Sequence, residues 1–241
     1  MTLVAARCLI KGAYLRLRLM PIGDESRCDH DGAMQYLDRW AALHARPGYV
    51  PGTFRPMLGV HLVSGVQQVR AEISEFVRVL LSRGLGDTIL EIGLGEYGGT
   101  HMLWRRLFNN VVTVERDGSV AKRFRRFEWL DSRSRVVVGK STDVSTLRLV
   151  QNYTTAVDVL FIDGDHSYEG VASDWDMYHH LAKPGGIIAF HDSACCFGGF
   201  GVGKFLKDLS EGHVDGKMHV FQNIRFSDAV GISYEVLPET E

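Results

Sequence analysis

Residues 87–100, DTILEIGLGEYGGT, join a short apolar strand pattern to a turn with three spaced glycines. The run TILEI has the length and apolar content of a strand that is buried on both faces. Gly93, Gly95 and Gly98 permit a tight turn and a close approach of the backbone to a ligand. A helix is predicted to begin near Thr100 with its amide groups directed at the same place. The stretch therefore predicts the ligand-binding end of a strand–turn–helix unit.

The same alternation of strand and helix continues along the chain and predicts the fold. Apolar strand patterns lie at 88–92, 111–115, 135–139, 157–162 and 187–191, with helical patterns between them at 100–108, 119–130, 145–151 and 168–181. Two more strand patterns, at 218–226 and 230–236, predict an antiparallel hairpin at the sheet edge. These patterns predict an α/β fold with a doubly wound, mostly parallel, seven-stranded sheet.

Residues 1–62 are predicted to form a mainly helical N-terminal cap, ahead of a ligand-binding domain at 63–241. The cap is punctuated by four prolines and contains a helical piece around 35–44. Residues 1–20 carry four basic side chains and no acidic one, so neither a signal peptide nor a transmembrane segment is predicted there. We expect a basic amphipathic helix that docks on its own domain or on a second copy, giving a homo-oligomer through the N-terminal region. A membrane surface and the mouth of an active site are the alternative docking places.

Charge and cysteine content exclude several classes of protein. The formal net charge of −2 provides no basic field, so no nucleic acid is expected as a partner and a small molecule is expected instead. The four cysteines show neither zinc-finger spacing nor a disulfide framework. Reduced thiols and a cytoplasmic location are therefore predicted.

An acidic residue follows the glycine turn at the distance expected for nucleoside binding. Glu115 ends the pattern VVTVE, 22 residues after Gly93, where it can accept hydrogen bonds from both hydroxyls of a ribose. Taken alone, GLGEYG also satisfies the dinucleotide pattern, so a nicotinamide-dependent oxidoreductase is an alternative. Glu91 favours S-adenosylmethionine, because its carboxylate suits the amino-acid end of that cofactor and would repel a pyrophosphate.

Five stretches resemble, in this order, the motifs of class I S-adenosylmethionine-dependent methyltransferases: EIGLGEYGGT, VVTVER, GKSTDV, LFIDGDHSYEGV and LAKPGGIIAFHD. Over residues 65–195 the chain is more narrowly similar to small-molecule O-methyltransferases of macrolide and aminocoumarin sugars and to cephalosporin-hydroxylase-like proteins. The resemblance implies a Rossmann-like methyltransferase fold. It also implies an enzyme that methylates a hydroxyl of a sugar or glycosylated natural product. A protein of this fold that binds S-adenosylmethionine without methylating is a further alternative.

The glycine turn, the ribose acid and the positions that the resemblance implies together make up the predicted cofactor site. Its residues are Glu91, Gly93, Gly95, Gly98, Thr100, Glu115, Ser141, Asp143 and Asp163. The resemblance places Ser141 and Asp143 along the adenine, with Asp143 on its amino group. Serine and aspartate in this spacing before an apolar helix are also typical of an ordinary helix start.

Ionisable residues follow two strands that are predicted to be neighbours. Asp163 and Asp192 are expected to lie side by side and to share one hard divalent cation, with Mg²⁺ preferred and Mn²⁺ second. In the methyltransferases that this chain resembles, the position of Asp163 is a metal ligand and a residue two or three places later is the base. The resemblance therefore implies Asp165 or His166 as the catalytic base. His191, the third predicted metal ligand, replaces an oxygen ligand of those relatives, and its imidazole suits Mn²⁺, Fe²⁺ or Zn²⁺ better than Mg²⁺.

Overall fold

A computed structural model describes residues 28–44, 67–128, 132–195, 198–226 and 230–239. Helices α1 (His30–His44) and α2 (Arg70–Ser82) precede the sheet. The strands are β1 (Thr88–Ile92), β2 (Asn110–Glu115), β3 (Ser134–Val138), β4 (Val157–Ile162), β5 (Ala182–His191), β6 (Gln222–Ile224) and β7 (Ile232–Val236). The helices that connect them are α3 (Gly99–Trp104), α4 (Gly118–Glu128), α5 (Val144–Gln151), α6 (Tyr168–Tyr178) and α7 (Val202–Ser210), with a short 3₁₀ helix at His179–Leu181.

The seven strands form one sheet in the order β3-β2-β1-β4-β5-β7-β6. Strands β1 to β5 pair in parallel, whereas β7 pairs antiparallel with both β5 and β6. The chain reverses its direction across the sheet between β1 and β4, which is the switch point where doubly wound sheets bind ligands. The predicted fold class is confirmed, including the antiparallel hairpin at the sheet edge.

Alternate side chains of the strands enter two hydrophobic cores, one on each face of the sheet. In β1, Ile89 packs in the core formed with α1 to α4, while Leu90 and Ile92 pack in the core formed with α5 to α7. All five residues of β1 are buried, so both faces of this strand are covered. This double coverage explains why the strand patterns are continuously apolar.

Helix α1 is the described part of the predicted cap. It contributes Leu37 and Trp40 to the first core, so this part of the cap packs on the same core as the sheet. The proposed boundary at residue 62 and the basic stretch 1–20 lie outside the described residues. None of the helices in the described ranges has the length and apolar character that a membrane crossing requires.

The strand predicted at 218–226 is shortened to β6 (Gln222–Ile224), and two further elements differ from the sequence patterns. Strand β5 begins at Ala182, not at residue 187, because the KPGG segment stays in the sheet as an irregularity where the pairing with β4 shifts register. Helix α7 was absent from the predicted elements. Its signal is a set of apolar residues at helical spacing, all of them buried: Val202, Phe205, Leu206 and Leu209.

Candidate active site

A cavity of about 1150 Å³ opens at the carboxyl ends of the parallel strands. The loops after β1 to β5 all contribute to its wall, as expected at the switch point of such a sheet. Most predicted site residues line it: Gly93, Gly95, Thr100, Glu115, Ser141, Asp163, Asp165, His166, His191 and Asp192. The structure does not bring Glu91, Gly98 or Asp143 to the cavity wall.

The glycines of the first turn have two different roles. Gly93 has φ +97°, and a Cβ atom there would collide with the carbonyl oxygen of Asp163. The turn therefore lies directly against the tip of β4, which only glycine permits. Gly98 has φ +59°, and a Cβ atom there would lie 2.5 Å from the ring of Phe124 in α4. Gly98 thus allows close packing on a helix, whereas Gly93 and Gly95 line the cavity.

The Glu115 carboxylate is fixed at the tip of β2 by two backbone N–H groups. Its Oε2 accepts a hydrogen bond from the Leu94 N–H at 3.2 Å, and its Oε1 accepts one from the Asp117 N–H at 2.7 Å. Leu94 belongs to the glycine turn, so this bond ties the turn to the predicted ribose acid. The carboxylate lines the cavity, where its remaining lone pairs can accept hydrogen bonds from ligand hydroxyls.

Glu91 lies beneath the glycine turn and not in the cavity wall. Its fully buried carboxylate accepts hydrogen bonds from Nε1 of Trp104 at 2.9 Å and from Oγ1 of Thr113 at 2.7 Å. Burial raises the pKa of Glu91 to about 8, so this side chain carries a proton at neutral pH. The arrangement joins α3 to β2 below the turn, which is a different position from the predicted contact with the amino-acid end of a cofactor.

Replacing Glu91 with glutamine is expected to abolish a loss of stability that the wild type undergoes as the pH rises from 4.5 to about 8. The pKa of Glu91 is higher in the folded protein than in the unfolded chain, so the wild type loses unfolding free energy across this range and the glutamine variant does not. The difference should grow by up to about 1.4 kcal/mol per pH unit in urea unfolding. A difference that stays constant with pH would contradict a protonated Glu91.

Of the two residues predicted along the adenine, only Ser141 faces the cavity. Its carbonyl oxygen accepts a hydrogen bond from the hydroxyl of Tyr178 at 2.8 Å. Asp143 is exposed and occupies the N-cap position of α5, although its side chain makes no capping hydrogen bond. The carboxylate predicted for the adenine amino group is therefore away from the cavity wall.

Two carboxylates and two imidazoles converge where β4 and β5 end, and we call Asp163, His166, His191 and Asp192 the strand-tip cluster. Nδ1 of His191 lies 3.0 Å from Oδ1 of Asp163 and 3.2 Å from Oδ2 of Asp192. Nε2 of His166 lies 3.4 Å from Oδ1 of Asp163 and 3.2 Å from Oδ2 of Asp192. Each carboxylate thus contacts both imidazoles.

Opposite charges in the strand-tip cluster shift the pKa values of its members. Burial would raise the pKa of Asp163, but the charge of His191 and the hydrogen bonds from both imidazoles lower it. Burial would lower the pKa of His191, but Asp163 and Asp192 raise it well above its ordinary value. The hydrogen bond to Asp163 also raises the pKa of His166. These directions describe a compact network of ion pairs.

The two predicted base candidates have different surroundings. Oδ1 of Asp165 accepts a hydrogen bond from the Ser167 N–H at 2.9 Å, which lowers the pKa of Asp165 and weakens it as a base. Ser167 is the N-cap of α6, so Asp165 belongs to the start of that helix. The ring of His166 stacks on Phe200 with the centroids 5.0 Å apart, while its Nε2 points at the two carboxylates. Of these two candidates, His166 is the one that contacts both carboxylates of the strand-tip cluster.

The strand-tip cluster has a donor set that fits a divalent cation. Asp163, His191 and Asp192 each offer one ligand atom, and these atoms lie within 4.8 Å of one another. Carboxylate oxygens suit Mg²⁺ and Mn²⁺, whereas the imidazole nitrogen favours a transition metal. Asp192 has φ +55°, a strained conformation for a residue other than glycine. Strain of this kind is typical of functional sites.

Three polar residues ahead of β1 support the site and belong to no motif that sequence reasoning identified. Nε2 of Gln68 donates to Oδ2 of Asp163 at 2.9 Å. Gln67 lines the cavity with φ +60°. Glu72 accepts hydrogen bonds from the N–H groups of Phe226 and Gly231 and so ties these two residues to α2. The one available signal is a glutamine pair directly before an amphipathic helix.

Comparison with known proteins gives a family match for the middle of the chain. Residues 90–193 match the family model described as a methyltransferase domain. An uncharacterized protein of Acanthamoeba polyphaga mimivirus is 27% identical over 112 residues, covering 44% of this chain and 51% of that protein. The chain therefore spans about half the length of this curated relative.

Two solved structures share the fold over most of the chain. The O-methyltransferase NovP is 15% identical, with a TM-score of 0.61 and coverage of 86% of this chain and 100% of that chain. The O-methyltransferase from Bacillus cereus in complex with SAH is 17% identical, with a TM-score of 0.53 and coverage of 93% of this chain and 96% of that chain. These likenesses confirm the predicted Rossmann-like methyltransferase fold.

Proposed function

We propose that this protein is a metal-assisted O-methyltransferase that uses S-adenosylmethionine, because residues 90–193 match a methyltransferase domain model. Its acceptor is a hydroxyl of a small molecule, and we propose a sugar or a glycosylated natural product. One observation carries the proposal: a single cavity holds the glycine turn and Glu115 at one side and the strand-tip cluster at the other. The cofactor and the chemistry of deprotonation therefore meet in one place.

S-adenosylmethionine is proposed to bind along the tips of β1 to β3. The backbone of the glycine turn at Gly93 and Gly95 would lie against the methionine moiety of the cofactor. Glu115 would accept hydrogen bonds from the ribose hydroxyls, and Ser141 would lie beside the adenine. Small-molecule sites typically occupy roughly 300–1000 Å³. The cavity of about 1150 Å³ is larger than this range and has room for an acceptor beside the cofactor.

The chemistry that we propose begins at the acceptor hydroxyl, which is a weak nucleophile until it loses its proton. The proton moves to the imidazole of His166 in its neutral form, and the carboxylates of Asp163 and Asp192 stabilise the imidazolium that forms. The acceptor oxygen forms a bond to the methyl carbon as the sulfur–methyl bond breaks, which leaves S-adenosylhomocysteine. Asp163, His191 and Asp192 would hold a divalent cation, which would stabilise negative charge on the acceptor oxygen.

Two sequence-based expectations are retained as proposals. We propose that the protein acts in the cytoplasm on a small molecule without nucleic acid. We also propose that a homo-oligomer forms through residues 1–62, of which the structure describes 28–44.

Calorimetric titration of the purified protein with S-adenosylhomocysteine tests the proposal, first in EDTA and then with Mg²⁺ or Mn²⁺ added. We expect binding that survives EDTA, because the cofactor and the cation are held by largely different side chains. Failure to bind S-adenosylhomocysteine in every condition would overturn the cofactor assignment, and binding of NADH in its place would favour an oxidoreductase. A screen of glycosides and phenols for cation-dependent methylation then tests the acceptor class.

Replacing Gln68 with leucine is expected to weaken Mn²⁺ binding by about 10- to 100-fold. The amide of Gln68 donates to Oδ2 of Asp163 and leaves Oδ1 facing His191, so loss of the donor releases the carboxylate from this orientation. Gln151, which is exposed at the end of α5, provides the matched glutamine-to-leucine control. Equal Mn²⁺ affinities in the two variants would show that Gln68 does not position Asp163.

A further inference from the structure

Asp174 is a buried carboxylate that the proposed chemistry does not use. It lies on α6, is fully buried, and neither of its oxygens has a hydrogen-bond partner among the described residues. A buried carboxylate without a partner is costly, so its persistence calls for a donor that reaches it in the working protein. Burial raises the pKa of Asp174 to about 6, so the group is ionised at neutral pH and acts as an acceptor.

Asp174 lies directly behind the part of the cavity wall where β3 and β4 end. A Cβ atom on Gly164 would lie 2.9 Å from its Oδ2, and Gly170 precedes it by one helical turn. Both glycines line the cavity. Because the Asp174 oxygens are closed off from solvent, this carboxylate can act on a ligand only through a neighbouring side chain.

Ser141 is the neighbour with the required chemistry. It lines the cavity beside α6, and its side chain is one of the groups that lower the pKa of Asp174. The hydroxyl of Tyr178, one turn beyond Asp174 on α6, donates to the Ser141 carbonyl at 2.8 Å and fixes the backbone there. The face of α6 that carries Asp174 and Tyr178 therefore lies beside Ser141 and holds its backbone in place.

The adenine of the proposed cofactor is expected at the end of the cavity that Ser141 lines. Glu115, at the tip of β2, is the proposed ribose ligand, and the glycine turn after β1 takes the methionine part. The adenine would then lie against the part of the wall that neither the ribose nor the methionine moiety occupies. This part includes Ser141 after β3 and Gly164 after β4. Asp143, the carboxylate that the sequence suggested for this task, is exposed and outside the wall.

We propose that Asp174 is a positioning residue for recognition of the adenine base. It accepts a hydrogen bond from the hydroxyl of Ser141, so that Oγ of Ser141 presents its lone pairs to the cavity. There Oγ accepts a hydrogen bond from the exocyclic amine of a 6-aminopurine. This inference rests on the proposed function, since it concerns the same cofactor pocket. A hydroxyl can donate only one hydrogen bond, and an ionised carboxylate can only accept one. When the Ser141 hydroxyl donates to Asp174, it can therefore act only as an acceptor towards a ligand. The pocket then favours a ligand that donates at this position over one that accepts.

The test compares two ligands by calorimetry: S-adenosylhomocysteine and S-inosylhomocysteine, in which the amine is replaced by a carbonyl oxygen. We expect the wild type to prefer S-adenosylhomocysteine by about tenfold or more, because the wrong partner leaves buried polar groups unpaired. Asp174→Asn should reduce this preference to within about threefold, since an amide donates as well as accepts and no longer directs the hydroxyl. Asp176→Asn, on the exposed side of the same helix, is the matched control and should keep the preference.

Ser141→Ala separates positioning from a merely structural role. This variant should lose the preference, and Asp174→Asn added to it should change the ratio no further, because Asp174 acts through Ser141. The inference is overturned if the wild type binds both ligands equally, if Asp174→Asn weakens both with an unchanged ratio, or if Ser141→Ala keeps the preference. A wild type that binds neither ligand would instead refute the proposed function and this inference with it.

Discussion

Replacing Asp163 with asparagine is expected to remove cation binding and leave the cofactor pocket intact. Asp163 contacts both imidazoles of the strand-tip cluster and offers one of the three candidate ligand atoms. Asparagine keeps the shape of the side chain and removes its charge. We expect Mn²⁺ affinity to fall by more than the roughly 10- to 100-fold that loss of an outer-shell partner costs. Methylation of any acceptor that the wild type uses should fall at least about 100-fold.

The affinity for S-adenosylhomocysteine decides between the two roles predicted for Asp163. If Asp163 is a metal ligand only, this affinity should stay within about twofold of the wild-type value. A loss as large as that for Mn²⁺ would assign Asp163 to the cofactor pocket. Asp208→Asn is the control, because Asp208, Glu211 and His213 form another group with suitable spacing, partly exposed and away from the cavity. A loss of Mn²⁺ binding in this control alone would place the cation at the surface.

Replacing Gly93 with alanine is expected to lower the free energy of unfolding by roughly 3 kcal/mol or more. Two effects add at this position: the backbone has φ +97°, and the new Cβ atom would collide with the carbonyl oxygen of Asp163. The glycine turn and the tip of β4 must then move apart. Because Asp163 begins the strand-tip cluster, affinities for both S-adenosylhomocysteine and Mn²⁺ should fall together.

Gly84→Ala separates the backbone effect from the collision. Gly84 has φ +67°, but a Cβ atom there meets nothing within 4 Å. We expect this variant to lose about 1–2 kcal/mol in urea unfolding and to keep both affinities. Equal stability losses in the two variants would show that the contact between the turn and Asp163 is not tight.

The tips of the strands could be predicted from sequence because each chemical signal is local. Glu115 ends a strand pattern and follows a glycine turn at a typical distance, and the structure places it in the cavity wall beside that turn. Asp163 and Asp192 each end a strand, and the parallel pairing of β4 with β5 brings them together. In a parallel sheet, the position of a residue along its strand therefore predicts its place at the site.

The direction in which a side chain points could not be predicted from sequence, because it depends on the residues that pack around the strand. Glu91 lies two residues before Gly93, but its side chain is buried against Trp104 and Thr113 on the other side of the turn. Asp143 follows β3 as expected, yet it faces solvent. Gln68, which bonds to Asp163, lies directly before α2, and the buried Asp174 lies on α6. No local sequence motif marks either position.

The sequence by itself determined the order of strands and helices, the glycine turn, and the acids and histidines at the strand ends, because these depend on hydrophobic periodicity and on residues adjacent in the chain. Only the tertiary structure decided which polar groups share the cavity. Gln68 reaches Asp163 across 95 positions and Ser141 lies beside α6 across 37, and such contacts exist only once the helices pack on the sheet. Packing also decides which carboxylate is buried and which is solvated, and hence which of them can act on a ligand.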